Sequence, residues 1–121
     1  MIDHVGLFVK DANERAGFYE QLLKPLGYVK KHEFPGAVCF ANEQDGDSVW
    51  LESPKDGNPV APTHLAFHAA DEEAVKAFHA AGLAAGGVDN GQPGPRPNYS
   101  PTYYAAFIHD PDGNNIEACL Q

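Results

Sequence analysis

Two histidines and two glutamates in this sequence have the types and spacing of metal ligands. His4 and His64 are 60 positions apart, and Glu52 and Glu117 stand near the ends of the two halves of the chain. Imidazole nitrogens together with carboxylate oxygens suit a divalent nickel, zinc, iron, manganese or cobalt ion. Two carboxylates would also balance the charge of such an ion. The four residues therefore predict a shared metal site, provided that the fold brings them together.

A single histidine in a strand is more often solvated or hydrogen-bonded than bound to a metal. The prediction of a metal site therefore depends on an internal repeat that carries the same residue types in both halves of the chain. Displacing the sequence against itself by 60 positions, without a gap, aligns five identical pairs. These pairs are His4 with His64, Asp11 with Asp71, Phe18 with Phe78, Leu23 with Leu83, and Gly27 with Gly87. The pattern predicts a duplicated unit, with module one at about residues 1–56 and module two at about residues 62–121 of a single domain.

Both halves have the same order of predicted elements. An opening strand is followed by a helix that begins after an aspartate N-cap, Asp11 in the first half and Asp71 in the second. Apolar residues at 3,4 spacing predict helices at about residues 12–23 and 72–83. Three short extended runs follow each helix, the faintest near residues 87–90. The predicted fold class is therefore α+β, with two tandem βαβββ modules.

Alternation along the strands decides which face each candidate ligand occupies. The apolar row that begins at Val5 suits packing beneath the helix, which leaves His4 on the opposite face. The same alternation places Glu52, His64 and Glu117 on the faces away from the helices. We expect these faces to converge on one cation, either within the chain or between two subunits.

The other histidines are weaker candidates as ligands. His68 shares a face with His64 but lies about 13 Å further along the strand, so the two cannot bind one ion. His32 and His79 are expected to be exposed, and His109, which precedes a turn, is expected to be structural.

Two loops in the second half have distinct compositions. The proline-rich stretch at residues 91–101 is expected to interrupt the sheet and to act as a mobile lid. The segment DPDGNN at residues 110–115 has its glycine at the fourth place, whereas a calcium-binding loop requires it at the sixth. This segment instead predicts a tight hairpin turn.

Composition excludes several classes of partner. The chain has 121 residues and a net charge of −9, which disfavours binding to nucleic acid or to an anionic membrane surface. Cys39 and Cys119 lack the spacing of a thiolate zinc site or a disulfide framework. No secretory leader or long apolar run is recognisable. We therefore expect a cytoplasmic protein with a small-molecule substrate.

The sequence resembles the vicinal oxygen chelate superfamily, which includes glyoxalase I, methylmalonyl-CoA epimerase, extradiol dioxygenases and the fosfomycin and bleomycin resistance proteins. The resemblance covers nearly the whole chain, through IDHVGL (residues 2–7), AGFY (16–19), HLAF (64–67) and DPDGNNIE (110–117). It implies that curved sheets from the two modules form an open cleft around a metal ion. His4, Glu52, His64 and Glu117 stand where glyoxalase-type members have their ligands.

The resemblance further implies a glyoxalase-like isomerase or lyase that moves a proton next to the carbonyl of a small substrate with adjacent oxygens. Glu117 or Glu52 would transfer that proton. Val9 and Lys10 occupy the stretch where glutathione-using members carry an arginine, which disfavours strongly anionic peptide or thioester substrates. The residues expected to line the substrate pocket are Phe8, Trp50, His68, Arg96 and Tyr103.

Two other functions are compatible with the same resemblance. A protein of the bleomycin resistance kind would sequester a ligand without chemistry, and aromatic side chains such as Trp50 and Tyr99 supply surface for that role. An iron-dependent extradiol-type dioxygenase would need only two histidines and one glutamate, so the presence of Glu52 favours isomerase or lyase chemistry. A homodimer is expected, because paired modules leave sheet edges and apolar surface to cover.

Overall fold

The computed structural model of the chain describes residues 1–56 and 58–121. Its first module consists of β1 (His4–Phe8), α1 (Ala12–Leu23), a 3₁₀ turn (Lys24–Leu26), β2 (Tyr28–Phe34), β3 (Ala37–Asn42) and β4 (Ser48–Glu52). The second module consists of β5 (His64–His68), α2 (Glu72–Ala84), β6 (Val88–Pro95), β7 (Tyr104–His109) and β8 (Asn115–Leu120). The two predicted βαβββ modules are confirmed.

Both helices begin at the predicted aspartates. The Asp11 carboxylate accepts hydrogen bonds from the backbone N–H groups of Asn13 and Glu14 at 3.1 and 3.2 Å, and Asp71 accepts one from Ala74 N at 2.8 Å. Such bonds satisfy N–H groups that have no partner inside the helix. Among the described helices, none has the length and apolar character needed to span a bilayer.

The strands form two open, mixed sheets of four strands each, in the orders β1-β4-β3-β2 and β5-β8-β7-β6. The opening strand of each module pairs in parallel with the last strand, and the other pairs are antiparallel. Phe8 is opposite Glu52 in the first sheet, and Ala66 is opposite Glu117 in the second. Each candidate carboxylate is therefore beside the opening strand of its own module, with Glu52 two residues further along that strand than Glu117.

One hydrophobic core joins the two modules. It contains the helix-facing rows of both sheets, such as Leu7 and Ile116, together with Leu22 of α1 and Phe78 of α2. Gly82 of α2 lies where the modules meet, and a Cβ atom there would be only 2.8 Å from Ile108 and 2.9 Å from Leu22. The two helices pack closely against each other because residue 82 has no side chain.

The predicted interruption of the second sheet is wrong for residues 91–95. Strand β6 continues to Pro95 and pairs with β7, with register shifts between Asp89 and Gly91 and between Gly91 and Gly94. It lies at the edge of the sheet, where a proline is tolerated because its missing N–H can face away from the ladder. The Arg96 guanidinium donates hydrogen bonds to the carbonyls of Gln92 and Gly94 at 2.7 and 2.9 Å.

The prediction that His79 is exposed is also wrong. This side chain on α2 is buried and forms a hydrogen bond with Asp89 of β6 at 2.8 Å. The bond lowers the pKa of the Asp89 carboxyl, and a hydrogen bond from Gly91 N adds to the effect. His79 therefore anchors the edge strand to the helix.

The DPDGNN segment forms the tight turn between β7 and β8, as predicted, and it also connects the modules. The buried Asp110 carboxylate accepts four hydrogen bonds: two from Asn114 at 2.8 and 2.9 Å, one from Asp112 N at 2.9 Å, and one from the Tyr19 hydroxyl of α1 at 2.5 Å. Arg15, also on α1, donates two hydrogen bonds to the Asp112 carboxylate. We call this set of contacts the Asp110 cluster.

We expect Tyr19→Phe to destabilise the protein by about 2 kcal/mol, because it removes a buried hydrogen bond to a charged acceptor. Urea unfolding followed by circular dichroism measures this loss. The matched control is Tyr99→Phe, since Tyr99 is exposed and its substitution should change stability by less than about 0.5 kcal/mol. Equal stabilities of the two variants would contradict a stabilising role for the Asp110 cluster.

Candidate functional site

His64 and Glu117 form a direct side-chain pair on the second sheet. His64 Nε2 lies 2.9 Å from Glu117 Oε2. The two strands are neighbours, and Ala66 is the residue opposite Glu117, so no large side chain of β5 stands beside the carboxylate. Glu117 is 3% exposed, whereas the side chain of His64 is 52% exposed. The pair therefore presents its imidazole to solvent and keeps its carboxylate buried.

The second oxygen of Glu117 is held by Tyr103, which precedes β7. The Tyr103 hydroxyl donates a hydrogen bond to Glu117 Oε1 at 2.6 Å. This bond, with burial and the nearby Cys119 thiol, raises the pKa of Tyr103, so the hydroxyl stays protonated and remains a donor. Burial likewise raises the pKa of the Cys119 thiol. Both carboxylate oxygens of Glu117 are thus engaged, one by a phenol and one by an imidazole.

The spacing of this pair fits two adjacent ligands of one divalent ion. Metal–nitrogen and metal–oxygen bonds of about 2.1 Å at a right angle place the donor atoms about 3.0 Å apart, close to the observed 2.9 Å. The donor set is also suitable, because imidazole and carboxylate bind the same group of metals. His64 and Glu117 could therefore hold an ion with little rearrangement.

His4 and Glu52 occupy the equivalent face of the first sheet. His4 Nδ1 lies 2.7 Å from the Asp3 carboxylate, and its side chain is 60% exposed. Glu52 is half-buried, and its carboxylate lies over Gly6, where an added Cβ atom would be 2.8 Å from Oε1. In the described part of the chain, the Glu52 carboxylate has no hydrogen-bond partner. It can therefore bind a group that arrives from solvent without first losing a bond.

The four candidate ligands lie on two different sheets. His64 and Glu117 are in contact, whereas Glu52 is opposite Phe8, four residues along β1 from His4. Across residues 1–56 and 58–121, no group of three or more histidine, cysteine, aspartate or glutamate side chains is close enough to hold one ion. Each pair is on the face of its sheet opposite the helices, and the helices belong to the core that both modules share. The chain brings His64 and Glu117 together, but it does not bring His4 or Glu52 to them.

The expected pocket residues are distributed over several places. Phe8 and Glu52 line a cleft of about 530 Å³ whose other wall is formed by the linker, including Pro59 and Val60. His68 lines a separate cleft of about 310 Å³. On the second sheet, Tyr103 contacts Glu117, and the Arg96 guanidinium lies 5.5 Å from the centre of the Phe107 ring.

Trp50 belongs to an aromatic group that the sequence analysis did not identify. The rings of His32, Phe34 and Trp50 have their centres 6.0 to 6.4 Å apart. We call these three residues the aromatic cluster. His32 is exposed, as predicted, but it lies in strand β2 rather than in a loop, and its ring stacks beside Trp50. A register shift between Lys30 and His32 interrupts the alternation, although the two-residue spacing of His32 and Phe34 is a signal that both share one face.

Comparisons with known proteins place the fold in a family. The family model of the Glyoxalase/Bleomycin resistance protein/Dioxygenase superfamily matches residues 1–118. A glyoxalase/bleomycin resistance protein from Albidiferax ferrireducens is 31% identical, with a TM-score of 0.85 and coverage of 100% of this chain and 98% of the other. No protein with curated function matches the sequence.

Two further solved structures share the fold at lower identity. Lactoylglutathione lyase from Agrobacterium tumefaciens is 23% identical, with a TM-score of 0.74 and coverage of 98% of this chain and 92% of the other. A glyoxalase-related enzyme from Fulvimarina pelagi is 18% identical, with a TM-score of 0.75 and coverage of 100% and 88%. On the family match and the two repeated modules, the chain belongs to the Glyoxalase/Bleomycin resistance protein/Dioxygenase superfamily.

Proposed function

We propose that this protein is a metal-dependent enzyme of the glyoxalase type, which moves a proton next to a carbonyl of a small substrate with adjacent oxygens. The observation that carries the proposal is the His64–Glu117 pair, whose 2.9 Å separation suits two ligands of one ion. Family membership supports it, since glyoxalases are among the proteins that this superfamily contains. The metal would be nickel, zinc, iron, manganese or cobalt.

The proposed site is completed by a second copy of the chain. His64 and Glu117 of one subunit would share the ion with His4 and Glu52 of the other, in a homodimer. Two features support this arrangement: the paired faces lie away from the core that the modules share, and Phe8 beside Glu52 is 49% exposed. Covering such apolar surface favours association. Cys39 and Cys119 are both free and buried, which suits the reducing cytoplasm that we propose as the compartment.

The two glutamates are suited to different tasks. Glu117 is buried, and Tyr103 holds its Oε1, so Oε2, which lies beside His64, would be the oxygen that holds an ion. Glu52 has an unengaged carboxylate above Gly6, and its greater freedom suits it to accept the proton from the substrate carbon and return it to the neighbouring carbon. A bound divalent ion would polarise the substrate carbonyl and stabilise the negative charge that develops on its oxygen.

A second candidate function is ligand sequestration without chemistry, of the bleomycin resistance kind. The aromatic cluster favours it, because three adjacent rings on one open sheet face offer contact area for an aromatic ligand. The two functions predict different effects of a substitution at Glu117. An enzyme should lose turnover when Glu117 is replaced by glutamine, whereas a sequestering protein should retain most of its ligand affinity.

The first expected outcome concerns metal binding. Protein purified without chelators should bind about one divalent ion per subunit in a titration followed by calorimetry. His64→Ala and Glu117→Gln should each weaken binding by about a hundredfold or more, because each removes a direct ligand. Glu20→Gln is the matched control, since Glu20 is exposed and lies on α1. Failure of all five metals to bind the unaltered protein would contradict the proposal.

The second outcome tests whether the site spans two subunits. Glu52→Gln and Glu117→Gln chains should each lack tight metal sites, but when they are co-expressed, mixed dimers should regain one intact site. Random pairing would restore about a quarter of the normal number of sites. Isotope-labelled metal retained after gel filtration gives the count. If mixing restores none, the site does not combine residues from two chains.

The third outcome concerns Tyr103. Tyr103→Phe should lower metal affinity by about tenfold to a hundredfold, the usual effect of losing a hydrogen bond to a ligand. The reason is that Glu117 Oε1 would lose its donor and the carboxylate could rotate away from His64. Tyr99→Phe serves as the control, because Tyr99 contacts Tyr103 only through its ring. Unchanged affinity in Tyr103→Phe would show that Tyr103 does not position the ligand.

A further inference from the structure

Glu52 does not stand at the register position that Glu117 has in the second module. Glu117 is opposite Ala66, and the residue that corresponds to Ala66 in the 60-residue repeat is Gly6. In the first sheet, Trp50 is the residue opposite Gly6. The backbone of Glu52 is two residues further along β4, a displacement of about 7 Å. The two carboxylates would therefore occupy different places if both side chains stood upright on their strands.

The Glu52 side chain leans back toward Gly6 and thereby reduces this displacement. A Cβ atom added to residue 6 would be 2.8 Å from Glu52 Oε1 and 3.5 Å from Glu52 Cδ. Side chains in strands commonly lean along the strand direction, and here the lean brings the carboxylate above the residue that corresponds to Ala66. The carboxylate of Glu52, unlike its backbone, thus approaches the place that Glu117 has in the other module.

The lean also brings the carboxylate closer to His4. Gly6 is two residues from His4 on the same face, whereas the residue opposite Glu52 is four residues from it, about 13 Å along β1. In the second module, a two-residue offset of the same kind allows His64 and Glu117 to lie 2.9 Å apart. A carboxylate above Gly6 is therefore placed to approach His4 in the way that Glu117 approaches His64.

Trp50 leaves the space above Gly6 free for this carboxylate. Its indole stacks beside the rings of His32 and Phe34 in β2, with ring centres 6.1 and 6.4 Å away. Because β3 lies between β4 and β2, the indole extends away from β1. Across the described residues, and apart from the neighbours of Gly6 in sequence, only Glu52 has atoms within 4 Å of the Cβ position at residue 6.

The backbone of residue 6 does not itself require glycine. Gly6 lies within β1, its φ is not positive, and it is exposed. Alanine can adopt the same conformation, and the second module has Ala66 at the corresponding position, beside a glutamate that stands directly opposite it. A Cβ atom matters at residue 6 because the Glu52 carboxylate occupies the place that it would take.

We propose that Gly6 is a positioning residue for Glu52: the missing Cβ atom lets a glutamate that is two residues out of register bring its carboxylate to the place that corresponds to Glu117. The action of that carboxylate on an ion or a substrate rests on the proposed function, whereas its position above Gly6 does not. A side chain at residue 6 would turn the carboxylate toward Phe8 and away from His4.

Gly6→Ala tests the proposal without removing any ionisable group. The atoms that must move are the far end of one side chain, so the midpoint of urea unfolding should not change. Calorimetric titration with the five divalent metals should show binding about tenfold to a hundredfold weaker than in the unaltered protein, the usual effect of losing a group that orients a ligand. Gly17→Ala is the matched control, because a Cβ atom at residue 17 of α1 has no neighbour within 4 Å.

A relocated carboxylate supplies the second test. Trp50→Glu combined with Glu52→Gln puts a glutamate directly opposite residue 6, in the register that Glu117 has. This double variant should recover metal affinity to within about tenfold of the unaltered protein, and it should do so with either glycine or alanine at residue 6. Trp50→Gln combined with Glu52→Gln is the control for loss of the indole and should not recover binding.

Crystal structures of the metal-free unaltered protein and of metal-free Gly6→Ala separate this proposal from the proposed function. The Glu52 carboxylate should lie above residue 6 in the first and be turned toward Phe8 in the second, with β1 and β4 unchanged. If none of the metals binds the unaltered protein, the proposed function fails, and the two crystal structures alone decide whether Gly6 positions Glu52.

Four results would overturn the role of Gly6. They are a Glu52 carboxylate that keeps its place in the Gly6→Ala crystal, unchanged metal affinity of Gly6→Ala while Glu52→Gln binds weakly, a folded Trp50→Glu and Glu52→Gln double variant that recovers no affinity, and loss of the dimer of Gly6→Ala in ultracentrifugation. The last result would assign residue 6 to a contact between two copies of the chain. Metal binding by the unaltered protein can succeed in each of these cases.

Discussion

The buried carboxylate of Asp110 is the interaction on which the placement of the candidate site depends. A buried charge is tolerated only when its oxygens are hydrogen-bonded, and here four donors satisfy it, one of them the Tyr19 hydroxyl from the other module. Asn114 also accepts a hydrogen bond from Thr63 N, directly before β5. The turn thereby fixes the start of β5 and of β8 together, and those strands carry His64 and Glu117.

Each sheet carries a histidine and a glutamate, but the two glutamates do not have equivalent register positions. Glu117 is opposite Ala66, whereas Glu52 is opposite Phe8, which corresponds to His68 in the repeat. Glu117 is enclosed by Tyr103 and His64, whereas Glu52 lies above the bare backbone of Gly6. The different surroundings reflect this two-residue displacement and the Tyr103 hydroxyl, which holds Glu117 Oε1.

Local patterns were sufficient to predict the architecture. The aspartate caps, the helix spacing and the strand alternation that places His4 and Glu52 away from the core all act over a few residues. The burial of His79 against Asp89 and the aromatic contacts of His32 could not be predicted in this way. They depend on which strands become neighbours and on a register shift near Lys30. The sequence predicted that His64 and Glu117 lie near each other. The hydrogen bond between Tyr103 and Glu117 could be identified only in the folded structure.

The prolines of β6 have a consequence for how copies of this chain can associate. β6 is one of the two edges of the second sheet, and Pro93 and Pro95 lack the N–H groups with which an incoming strand would pair. At the corresponding edge of the first sheet, the charged side chains of Lys30 and Glu33 oppose strand addition. Addition of a further strand, and the fibrous aggregation that follows from it, is thereby opposed at the β2 and β6 edges, which directs contact between copies to the sheet faces and to the β1 and β5 edges.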